Sequence, residues 1–166
     1  MKIVTGGQSG VDRAALDVAI ERRILYAGWC PAGGWAEDFP NPPGLLDRYP
    51  LLRETPAADP AQRTDWNIRD SDAILVIVDA EGVPVSKGTQ LAGDLAEHRR
   101  KPTLVVDLSR PDAVQRTAAW LAEQLSASDE QLALGIGGPR ESEAPGIYSK
   151  AAIFLHAVLD QVQARR

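Results

Sequence analysis

Apolar positions along the chain fall into short unbroken runs that alternate with stripes at helical spacing. Ile3 to Thr5 reads as a strand cut off by Gly6-Gly7-Gln8-Ser9-Gly10. Val11 to Arg23 reads as a helix, with Val11, Ala15, Val18 and Ala19 on one face. Ile24 to Trp29 is a second strand, ended by Pro31, Gly33 and Gly34. Gln62 to Asp70 is a short helix leading into Ala73 to Val78, an unbroken apolar run of the kind covered on both faces in a parallel sheet. A turn at Ser86-Lys87-Gly88-Thr89 precedes a helix that buries Leu91, Ala92, Leu95 and Ala96. Thr103 to Val106 is the fourth strand. Ser109 and Asp112 are cap candidates for a helix with Val114, Ala118, Leu121 and Leu125 inward. Gln131 to Ile136 is the fifth strand, and Tyr148 to Val162 marks the last helix.

Strands alternating with helices imply βαβ units and right-handed crossovers. The expectation is one three-layer α/β domain over residues 1–166, with a five-stranded, mostly parallel sheet in the order 2-1-3-4-5. Cys30 to Pro60 breaks the alternation: it holds six of the twelve prolines before Pro60 itself, and so long an irregular segment is usually functional.

Composition narrows the function classes. The 166 residues are 44% hydrophobic and 25% charged, with net charge −5 and no long basic run. That argues against a nucleic acid polymer as partner, but not against a small anionic ligand held by local cations and oriented amides. No apolar stretch reaches the length of a membrane span, and the first residues turn polar too soon for a signal peptide, so a cytoplasmic location is expected. The single cysteine, Cys30, excludes an internal disulfide, and His98 and His156 have no ligand-like companions, so no metal site is expected.

In parallel sheets ligands bind beyond the carboxyl ends of the strands. Three bends there consist of small residues followed by a helix: Gly6 to Gly10, Lys87-Gly88-Thr89, and Gly137 to Ser142. Glycine lets the backbone approach a ligand, and amides at a helix start favour an oxyanion. Arg13, Lys87 and Arg140 are placed to balance its charge, whereas Asp12 suits either a ligand role or simple pairing with the helix dipole. Glu37 and Asp38 in the long loop are weak candidates for an acid and base. Trp35 and Trp66 flank the irregular segment as a possible flat wall, although core packing is commoner for tryptophan.

Together these motifs resemble the molybdenum cofactor carrier family, a Rossmann-like branch of the SLOG superfamily related to the YpsA proteins by circular permutation. The resemblance rests on Gly6 through Asp17, Gly28-Trp29-Cys30-Pro31, Ala36-Glu37-Asp38, Tyr49-Pro50-Leu51, Glu54-Thr55 and Arg63 through Asn67. Asp70-Ser71-Asp72, Gly88-Thr89, Gly138 through Ser142 and Pro145 through Tyr148 extend it over nearly the whole chain. It implies a homo-oligomeric binding protein for the molybdenum cofactor or molybdate, delivering to a molybdenum-dependent apoenzyme. The site would draw on Gly6, Gly7, Gln8, Ser9, Gly10, Asp12, Arg13, Arg63, Asn67, Lys87, Gly88, Thr89, Gly138, Arg140, Glu141 and Ser142. Gln8 and Asn67 would orient the organic part of the ligand.

Three departures from the relatives' patterns stand out. Lys87 replaces a glycine of the second loop, and Gly34-Trp35 stands where Gly-Arg is usual. Ala92 takes the place of the glutamate of phosphoribohydrolase relatives. A nucleotide hydrolase using Glu37 or Asp38, with the loops holding a nucleotide phosphate, and a nucleotide-sensing module remain the alternative readings.

Overall fold

A computed structural model describes residues 1–79 and 87–165; within the helix that begins at Lys87, the side chains of residues 87–89 and 92 are not described. Six strands form one sheet: β1 (Lys2–Val4), β2 (Leu25–Cys30), β3 (Leu52–Glu54), β4 (Ala73–Val78), β5 (Thr103–Asp107) and β6 (Ala133–Gly137). The helices are α1 (Val11–Glu21), α2 (Leu45–Arg48), α3 (Pro60–Arg69), α4 (Lys87–His98), α5 (Ala113–Ala127) and α6 (Ile147–Ala164). Every strand pairing is parallel, in the order β3-β2-β1-β6-β4-β5.

Two of the expectations are corrected. The sheet has six strands rather than five, because Leu52–Glu54 inside the proline-rich segment pairs with the end of β2. The expected order placed the last strand at an edge, whereas β6 inserts between β1 and β4. Burial supplies the reason: four of the five β6 residues are fully buried, as a central strand requires, while β5 leaves Thr103 and Val105 exposed.

Alternate residues of β4 separate two apolar layers. Ala73, Leu75 and Ile77 join the main core with residues of α1, α5 and α6, such as Leu16, Leu121 and Phe154. Ile74 and Val76 face the other way, against Ile68 of α3 and Ala96 of α4. The domain therefore has three layers, and α3 lies on the face opposite α1. Asn67 fixes α3 there by pairing with both backbone groups of Trp29, accepting from its N–H at 2.8 Å and donating to its carbonyl at 2.9 Å.

Candidate functional site

At the carboxyl ends of β1 and β6 the first and third glycine bends meet. The Val11 amide donates to the Pro139 carbonyl at 3.2 Å. Gly10 makes this possible: its φ is +76°, and a Cβ there would collide with the Pro139 carbonyl and the Arg140 backbone. The sequence bends are thus neighbours in space. Lys87, Gly88 and Thr89 fall in the first residues of α4, and their side chains lie outside the described residues.

Several amides expected to face a ligand already have acceptors in the protein, which corrects the simple picture of an open cradle. The Gly6 and Gln8 amides lie near the Asp12 carboxylate and favour its charged form. Those of Ser9 and Glu37 share the Gln8 side-chain carbonyl, at 3.0 and 2.9 Å. Glu141 N–H donates to Ser9 Oγ at 3.0 Å, and Ser142 N–H to Glu37 Oε1 at 3.2 Å. The physical reason is that two carboxylates of the chain, Asp12 and Glu37, reach the positive ends of these loops first, a favourable placement that spacing alone does not reveal.

Glu37 sits on hydroxyls from both bends. Ser9 Oγ donates to Oε1, Ser142 Oγ donates to Oε2 at 2.5 Å, and Arg140 stands 3.9 Å from Oε2. Burial alone would raise the Glu37 pKa, but donation from Ser142 and Ser9, helped by Arg140, outweighs it and holds the carboxyl below its usual range. Asp38 is gripped by Arg13, whose Nη1 and Nη2 lie 2.8 and 3.0 Å from its oxygens. Arg13 also donates twice to the Gly7 carbonyl and stacks on Phe39 and Tyr49. It is thus a buried clamp for the long loop. Glu141 accepts from the Gly146 and Tyr148 amides, capping α6.

The expected site residues divide between two clefts. Ser9, Gly10, Arg13, Glu37, Asp38, Glu141 and Ser142 line a cleft of about 510 Å³. Gly6, Asp12, Arg63, Asn67, Gly138 and Arg140 line a smaller one of about 100 Å³, on the α3 side of the sheet. Gly7 and Gln8 line neither. Trp66 packs edge-on against Trp29, with centroids 4.7 Å apart, so the anticipated wall of Trp35 and Trp66 does not form.

The smaller cleft gathers buried polar groups. Arg63 reaches from α3 to place Nη1 2.9 Å from Asp12 Oδ2. Its Nε is buried with no hydrogen-bond partner among the described residues, and so is the hydroxyl of Thr5. Orphan donors of this kind are costly. Sequence reading missed Thr5 and Gly135, and placed Gly137 only at the start of the third bend. The available signal was the alternation of glycine at 135 and 137 within a strand, which leaves one face bare of side chains. A Cβ on Gly137 would sit 3.6 Å from Asp12 Oδ1, so that bare face borders the carboxylate.

Asp12 is the unusual group. Burial pushes its pKa up, against the opposing pull of Arg63 and of the Gln8 and Gly6 amides. Among the described residues no cluster of His, Cys, Asp and Glu could hold a metal ion, and no helix is long and apolar enough to cross a membrane.

Residues 3–159 match the sequence pattern of the circularly permutated YpsA SLOG family. The chain is 37% identical to a protein from Syntrophus aciditrophicus whose crystal structure is described as that of a "Putative molybdenum carrier protein". That match covers 95% of this chain and 94% of the other, with a TM-score of 0.81. No curated protein matches. With nearly its whole length matched, the chain belongs to the circularly permutated YpsA SLOG family.

Proposed function

We propose that the protein binds and carries a small oxyanionic or phosphorylated ligand, the molybdenum cofactor or molybdate foremost, with its anionic group in the cleft between α3 and the glycine bends. One observation carries the reading: two buried donors, Thr5 Oγ1 and Arg63 Nε, lack acceptors in a cleft that Arg140 also lines. A tetrahedral oxyanion supplies several acceptors at once, and a guanidinium suits it better than an ammonium. The name of the similar crystal structure supports the choice of cargo.

The chemistry is sequestration. Thr5 and Arg63 bind the anion, Gly137 leaves room beside the Asp12 carboxylate, and Val4, Ile74 and Val76 keep the floor apolar. Glu37 and Asp38, on which glycosidic hydrolysis would call, lie outside this cleft and are engaged by Ser142 and Arg13. That makes the hydrolase reading the weaker one. Assembly into a homo-oligomer, a cytoplasmic location and delivery to a molybdenum-dependent apoenzyme follow from the carrier reading.

Anaerobic titration with molybdate and with the cofactor tests it. Saturable binding, weakened in Thr5→Val and Arg63→Gln without loss of the fold, is expected. Absence of saturable binding by either probe overturns the reading.

A further inference from the structure

Arg63, which carries one of the two orphan donors, is already matched by a carboxylate of its own chain. Asp12 and Arg63 form a 2.9 Å pair whose side chains are only 9% and 16% exposed. Both line the cleft in which an oxyanion is proposed to sit. An anion drawn to Arg63 Nε and Thr5 therefore arrives beside a buried negative group sharing the same guanidinium. Two like charges at one buried site do not both persist.

We infer that anion binding at this cleft is coupled to uptake of one proton by Asp12, so that ligand capture and release depend on pH. The inference rests on the proposed function and adds the regulation of that site. The proton comes from solvent and joins a carboxylate oxygen. The neutral carboxyl keeps an acceptor for Arg63 and gains an O–H, which can donate to the bound anion. Asp12 thus changes from competitor to ligand donor.

The surroundings leave Asp12 as the group that answers. Burial already favours its protonated form, and Arg63 is the charged side chain that opposes this. Arg140 and Glu143 line the same cleft from the turn before α6, and they pair with each other at 3.4 Å. The strands present only non-ionisable residues there, such as Thr5, Val76 and Gly137. On α1 itself, Arg13 is turned towards the Gly7 carbonyl and Asp38.

Calorimetric titration with molybdate, a dianion without a titrating proton near neutrality, tests the inference in buffers of different ionisation heat. Uptake approaching one proton is expected, with affinity falling by up to about tenfold per pH unit as pH rises. Asp12→Asn, a neutral stand-in for the protonated side chain, should bind molybdate with no proton exchange and with an affinity independent of pH. Uptake should survive in Glu143→Gln. Saturable binding by the wild type without proton uptake overturns the inference and leaves the carrier reading intact. So does uptake that persists in Asp12→Asn or vanishes in Glu143→Gln. Absence of molybdate binding overturns the inference, and the carrier reading falls with it only if the cofactor also fails to bind. If Asp12→Asn does not fold, the wild-type proton count still decides.

Discussion

Arg13 and Asp38, 25 residues apart in sequence, close a two-pronged ion pair that staples the proline-rich loop to the start of α1. Arg13 is 7% exposed and Asp38 45%, so the two partners are not equivalent. Arg13→Met strands the Gly7 carbonyl as well as Asp38 and should cost about 2–3 kcal/mol. Asp38→Asn, at a half-exposed group, should cost about 1 kcal/mol or less. Urea denaturation measures both, and proteolysis between residues 31 and 44 should quicken first in Arg13→Met. Equal losses in the two variants would show that Arg13 does nothing beyond the pair.

Glu37 makes part of the stability dependent on acid. Its folded pKa lies below the ordinary glutamate value of 4.5, so its contribution is fully present above that value. It is lost as pH falls from there through the folded pKa. Melting temperatures of the wild type should fall across that window, and those of Glu37→Gln should fall less steeply. Parallel pH profiles for the two proteins would contradict the assignment.

Asp17 accepts from two tyrosines, Tyr49 at 2.7 Å and Tyr148 at 2.8 Å, joining the irregular loop, α1 and α6. Tyr49 is fully buried, and burial together with Asp17 pushes its hydroxyl well above the usual tyrosine range. Removing that hydroxyl in Tyr49→Phe should cost about 1.5–3 kcal/mol, the range for hydrogen bonds to a charged group. Tyr148→Phe should cost less. A double-mutant cycle should show coupling between the tyrosines, since each variant leaves Asp17 to the other donor. Strict additivity would mean that the carboxylate does not link them.

Arg140 separates binding from folding. It is 39% exposed and, among the described residues, pairs with Glu143 and, more distantly, Glu37. Arg140→Gln should weaken molybdate binding by about tenfold, the worth of one charge-assisted contact, and shift stability by less than about 0.5 kcal/mol. Equilibrium dialysis and thermal melting read the two effects. Unchanged affinity would remove Arg140 from the site.

Cys30 is expected to be inert. Burial pushes its thiol from 9.0 up to about 11, which cuts the thiolate near neutrality by about a hundredfold. Alkylation at pH 8 should be slow in the folded protein and fast in denaturant. Rapid labelling of the native state would refute this.

How far the sequence could be read is clearest at particular residues. The period of its apolar positions foretold β1, α1, β4 and α6, because a strand's or helix's own burial pattern is written locally. The motifs put the glycine bends, Arg63, Asn67 and Arg140 on one candidate list, and folding brings Gly6, Arg63, Asn67, Gly138 and Arg140 to one cleft. Strand order was not: β6 lies between β1 and β4 through contacts more than fifty residues apart, and β3 took part in the sheet with only three residues.

Which charges meet was likewise a tertiary decision. The sequence supplies Asp12, Arg13, Glu37, Asp38 and Arg63, but their pairing depends on the path of the long loop and on α3 docking across the sheet. That folding clamped Arg13 on Asp38 and placed Asp12 against Arg63 beside two unsatisfied donors. Local periodicity determines which segments bury a face. Only packing decides which buried polar groups satisfy one another and which remain for a ligand.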